Sequence, residues 1–158
     1  MIAVLRRWWR NPQKALRLTL AVIVSGGVIA GFGTFFRDII AGQNDQWTFI
    51  LDTIGLLIAV FGALLDFRAT SRVAEFAPGF GRRRAALELL FGAILAISGC
   101  ILLGWVVGDS APAVVQGLLS AALTAGFGLV FASLLYFGWF SGSEYLGRQI
   151  EQRSDEEW

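Results

Sequence analysis

Between Leu18 and Phe36 the chain runs LTLAVIVSGGVIAGFGTFF, nineteen residues with no charge and four glycines. At 1.5 Å per residue such a segment rises about 28 Å as a helix, close to the roughly 30 Å of a bilayer's hydrocarbon core. It predicts a transmembrane helix. Three stretches of the same character follow, at about 47–67, 85–107 and 113–140, and each is long enough to cross. The expected fold is therefore an all-α integral membrane protein with four transmembrane helices in a domain spanning 18–140. Charge content agrees, because only 16% of the 158 residues are charged, against about 25% in soluble domains.

The distribution of charge predicts orientation. Five basic residues precede the first span, five lie between the second and third in the segment 68–84, and two follow the fourth. Arg37 alone falls in an outer loop. By the positive-inside rule both termini and the 68–84 loop, whose first half RATSRVAEFA could be a surface helix, are expected on the cytoplasmic side of a cell membrane. Met1–Arg17 is too long and too basic for the n-region of a cleavable signal, so the first span reads as an uncleaved anchor. The arm 1–17 is expected to lie on the membrane surface, with Asn11-Pro12 marking a turn or a helix start. Arg6, Arg7, Trp8 and Trp9 of this arm, with Arg82, Arg83 and Arg84 of the loop, are candidate lipid head-group contacts. Nucleic acid is not an expected partner, because the basic arm abuts a span directly. The tail 141–158 is polar and acidic at its end, and is expected to be solvated with one or two helical turns.

The two halves of the chain resemble each other. Ser25-Gly26 aligns with Ser98-Gly99 at an offset of 73, Asp38 with Asp109 at 71, Thr53-x-Gly55 with Thr124-x-Gly126 at 71, and FGALLDF (61–67) with FASLLYF (131–137) at 70. Order is kept throughout. The pattern predicts two parallel repeats of a two-helix hairpin, with pseudo-twofold symmetry along the membrane normal.

Small residues recur at four-residue spacing in every span. The candidate helix-packing positions are Gly27 and Gly31, Gly55 and Ala59, Gly92, Ala96, Cys100, Gly104 and Gly108, and Thr124 and Gly128. Small side chains let backbones approach, and van der Waals packing is the main attraction between helices in lipid. A step of four residues turns 400°, so each ridge drifts about 40° per step.

Chemistry-bearing residues are few. The chain has no His and one Cys, Cys100, inside an apolar run. No intrachain disulfide can form, and metal or haem roles lack their commonest ligands. No nucleophile–base pair, phosphate-cradling loop or metal cluster stands out, so neither catalysis nor a cofactor is expected. Asp52 lies within the second span, five residues past Trp47 and about 7–8 Å along the helix. An ionisable group at membrane depth is by default a functional candidate, here for a proton or cation. Asp66 lies near the same face at the inner boundary, and Glu88 stands one turn after Arg84 and can pair with it. Gly26-Gly27-x-x-Ala30-Gly31, with Arg37 beyond, resembles the first-helix glycine motif of the small fluoride channels over about twelve residues. The arginine spacing differs and the Thr-Thr-Phe-Ser run of that family is missing, so the resemblance is set aside.

These features lead to a non-catalytic multi-pass protein: a small structural, accessory or assembly subunit of a membrane complex, or a homo-oligomer. A small channel or transporter using Asp52 is the alternative. A membrane-surface scaffold acting through the Arg/Trp arm and the arginine loop is the third.

Overall fold

The computed structural model describes residues 12–40, 45–105 and 112–156. They form four helices: α1 (Pro12–Ile40), α2 (Asp45–Phe76), α3 (Pro78–Trp105) and α4 (Ala113–Glu156). Each contains a segment long and apolar enough to span a membrane: Lys14–Phe36, Phe49–Ala74, Gly79–Gly104 and Ala113–Gly142. All three prolines of the chain stand where a helix begins. Pro12 and Pro78 open α1 and α3, where a missing N–H costs nothing. Pro112 precedes α4, and its carbonyl accepts from the Val115 and Gln116 amides at 2.8 and 3.2 Å.

Two segments are more helical than the sequence predicts. The 68–84 segment is not a loop. α2 continues to Phe76, α3 starts at Pro78, and Ala77 alone separates them. The Ala77 amide donates to Val73 O at 2.9 Å, while its carbonyl accepts from the Phe80 and Gly81 amides at 3.0 and 3.3 Å. One residue thus caps both helices, and Pro78 turns the chain because it cannot donate into the ladder of α2. The tail is likewise part of α4, which runs 44 residues without a break. Its length of about 66 Å is roughly twice the hydrocarbon core.

Side chains sort by size. The buried positions are mostly small: Ala15 and Ala69 beside Leu16, then Ala63 and Ala132 around Ile23, then Ala74 and Ala85 around Tyr136. The large apolar residues point outward, with Phe49 73% exposed and Leu118 and Trp139 each 66%. In water this would be a severe liability. In lipid it is the expected arrangement, because a tail solvates Leu as well as another helix does and close packing favours small residues.

The helices meet at two crossings that are alike atom for atom. A Cβ built on Gly26 of α1 would lie 2.6 Å from both Gly55 O and Ala59 N of α2. A Cβ built on Gly92 of α3 would lie 2.9 Å from both Gly126 O and Val130 N of α4. The reciprocal contacts match too, Gly55 against Gly26 O and Ala30 N, Gly126 against Gly92 O and Ala96 N. The offsets are 66 in the first helix (92 − 26) and 71 in the second (126 − 55). Gly26 therefore corresponds to Gly92 at the crossing, not to Gly99 as the sequence alignment has it. The discrepancy is seven residues, two helical turns, which returns to the same face within about 20°.

Beyond the crossings the halves differ. α1 packs closely on α4, with Gly27 against Ala121 and Ala125 and Gly31 against Gly117 and Ala121. Among the described residues α3 meets α2 on the side of the Ala77 corner, around Ala74 and Ala85 and through Arg84 to Asp66. Among the described residues α1 and α3 make no close backbone approach. α4 therefore sits between α1 and α3, and α3 is the least enclosed helix.

Candidate functional site

The most concentrated polar chemistry lies at the end of the bundle that holds the Ala77 corner. Asp66 and Thr70 stand one turn apart on α2, and Arg84 and Glu88 stand one turn apart on α3. The short corner puts these two pairs at the same level. Asp66 is 1% exposed, and a carboxylate so buried needs partners. Arg84 Nη2 donates to Asp66 Oδ1 at 2.9 Å. The Thr19 hydroxyl of α1 lies against the same oxygen and 2.9 Å from Leu16 O, with one proton to give to one or the other. Thr70 Oγ1 approaches Asp66 Oδ2 at 3.4 Å.

Arg84 is the hub. Its Nη2 also lies 3.5 Å from Leu16 O of α1, and its Nε lies 2.6 Å from Glu88 Oε1. The Glu88 contact is an ion pair at short range without hydrogen-bond alignment, for neither Nε nor Oε1 has a properly directed partner. One guanidinium thus ties α1, α2 and α3 together. The fourth helix closes the cluster from the side. Tyr136 of α4 is buried between Ala74 and Ala85, with Phe137 and Phe140 against its ring. Its hydroxyl fills the space beside Gly81, where an added Cβ would lie 2.5 Å from it.

The sequence-predicted residues meet different fates. The Arg84–Glu88 pair forms as the i, i+4 spacing predicts. Arg82 and Arg83 are exposed, but Arg84 is drawn inward to Asp66, so its charge is committed to the interior rather than to head groups. Arg6, Arg7, Trp8, Trp9 and Gly108 lie outside the described residues. Asp52 is half-buried on α2, fourteen residues from Asp66 and about 21 Å along the helix. It belongs to the opposite end and takes no part in the cluster.

Of the packing candidates, Gly27, Gly31, Gly55, Ala59, Gly92, Ala96 and Gly128 all lie at helix contacts, and Thr124 is half-buried. Cys100 is exposed and Gly104 has open space around it, so the α3 ridge stops packing within the bundle after Ala96. Drift is the reason: three steps from Gly92 to Gly104 turn the ridge about 120°. Gly99, seven residues after Gly92, continues the contact instead, for a Cβ built on it would lie 3.2 Å from Leu123 Cβ. The α4 ridge that receives α1 is Gly117, Ala121 and Ala125, one residue out of step with Thr124 and Gly128. Its spacing was visible in the sequence. What the spacing does not reveal is which of two adjacent ridges faces a neighbour.

Among the described residues no three His, Cys, Asp or Glu come together in a way that could hold a metal ion. The cluster joins helices through hydrogen bonds and ion pairs. Together with the outward apolar surface, it defines an all-helical protein with four helices long and apolar enough to cross a membrane. The chain matches no family model, no curated protein and no solved structure.

Proposed function

We propose that this chain is a non-catalytic, multi-pass subunit of a cell membrane, serving assembly or structure through association with other membrane proteins or with itself. The single observation that supports this best is the use made of its buried polar groups. Thr19, Asp66, Arg84 and Glu88 tie helices to one another at one end of the bundle. The rest of the interior, between that cluster and the level of Asp52, is filled mostly by Gly, Ala and Ile23 at close contact; the buried Ser133 there gives its hydroxyl proton to Leu129 O of its own helix at 2.9 Å. A conduit needs polar groups in succession along its path, whereas a scaffold needs fixed helices. In this reading both termini are cytoplasmic, on the strength of the basic residues gathered at the Ala77 corner and in the flanking segments. The matched Gly26–Gly55 and Gly92–Gly126 crossings support descent from a duplicated hairpin.

The test is native purification in mild detergent from the source membrane. The expected result is a stable oligomer or a stoichiometric complex. A monodisperse monomer without partners overturns the proposal. In the same preparation, reconstituted into liposomes, replacement of Asp52 by Asn is expected to leave proton and cation flux at the protein-free level. A flux present in the native chain and lost in the variant would replace the assembly reading with the transport one.

A further inference from the structure

We propose that the cleft between α1 and α3 holds one anionic phospholipid, its phosphate at Arg83 and an acyl chain along Leu20, Leu87 and Phe91. This goes beyond the assembly reading and does not depend on it. The cleft has a volume of about 530 Å³, inside the range of about 300–1,000 Å³ usual for small-ligand sites. It exists because α1 and α3 do not pack on each other, while α4 holds both and supplies Leu129 to the lining.

The lining is ordered by depth. Phe80 and Arg83 lie in the first turns of α3, and Phe91 lies eleven residues beyond Phe80, about 16 Å deeper. An amphiphile whose head group stays at the membrane surface therefore meets a cation first and apolar walls next. Charge complementarity selects the anionic class. Arg83 is exposed and makes no ion pair or hydrogen bond among the described residues. Arg84 and Glu88 also line the cleft, but they are engaged with each other and with Asp66. Glu88 sits five residues further along α3 than Arg83, about 7 Å deeper, and so at the level of the chain rather than the phosphate. Basic pockets between membrane helices at this depth suit anionic head groups.

The experiment uses the full chain, purified in mild detergent, stripped of lipid and titrated with an equal mixture of phosphatidylglycerol and phosphatidylcholine of matched chains. Native mass spectrometry reads the first lipid bound. The native chain is expected to take phosphatidylglycerol first. Arg83→Gln is expected to reduce that preference about fivefold, the ratio equivalent to the roughly 1 kcal/mol of one basic residue near anionic lipid. Leu87→Trp, at an exposed position where the larger ring fills the cleft, is expected to abolish the one-to-one adduct. Arg68→Gln removes the same charge from an exposed position on α2 outside the cleft and is expected to preserve the preference. Unaltered preference in Arg83→Gln, or a persistent adduct in Leu87→Trp, overturns the proposal. So does equal loss in Arg68→Gln and Arg83→Gln, which would mean diffuse surface charge. Displacement of the lipid by millimolar inorganic phosphate would identify a free-phosphate site instead.

Discussion

Replacing Arg84 with Met is expected to destabilise the protein by about 3–5 kcal/mol, the usual cost of leaving one member of a buried ion pair without its partner. The size follows from what remains. Asp66 would keep a hydroxyl from Thr19 but lose its only ion-pair contact among the described residues, and Glu88 would lose its short-range counter-charge. Three helices would lose their common tie at once. Unfolding followed by circular dichroism in a denaturing-detergent titration gives the number. The double variant Asp66→Asn, Arg84→Met is expected to recover at least half of the loss, because the amide removes the stranded charge and can still accept from Thr19. If the double variant were as unstable as the single one, packing of the arginine stem rather than charge would be the cause. A loss below about 1 kcal/mol would class the contact with exposed ion pairs, which contribute little.

The second large effect is steric. Gly26→Ala is expected to cost about 2–3 kcal/mol, the range for forcing extra volume into a filled site. Its Cβ would lie 2.6 Å from two backbone atoms of α2, and a helix backbone cannot step aside as a side chain can. The sign is diagnostic, because Ala is intrinsically about 1 kcal/mol better than Gly in a helix. Gly92→Ala meets Gly126 O and Val130 N in the same way and should cost nearly as much. Gly104→Ala meets nothing within 4 Å and should be neutral or stabilising by up to about 1 kcal/mol. The same unfolding titration reads all three. Similar stabilities for the Gly26 and Gly104 variants would mean that the α1–α2 crossing is looser than its contacts require.

These contrasts also mark how far the amino-acid sequence could be read. The number and approximate limits of the four helices long and apolar enough to cross a membrane follow from apolar length, because lipid would admit few alternatives to a helix with all its backbone groups paired. The Arg84–Glu88 pair was legible because it is local to one helix. The Asp66–Arg84 contact was not, since it depends on how two helices are rotated at a corner. The helical character of 68–76 is legible in RATSRVAEF, whereas the arginines and Pro78-Gly79 resemble loop chemistry although only Ala77 departs from helix. The like contacts of Gly26 and Gly92 were not legible either, since Gly99 lies seven residues further on and a heptad returns to nearly the same face, so composition alone cannot distinguish one register from the next. Asp52 drew notice as the carboxylate deepest within a span, yet the convergence of side chains occurs at the other end, around Asp66.

One consequence of α4 concerns distance. Residues 141–156 extend the fourth span in a single helix, so this part of the chain is a rod of about 24 Å rather than a tether. A tether would let whatever grips its end wander over a volume set by chain statistics. A rod fixes both stand-off and azimuth, and each residue added or removed would shift the grip by about 1.5 Å and turn it by 100°. Any partner recognising this segment is therefore indexed to the orientation of the bundle, and through Tyr136 to the helix corner at Ala77.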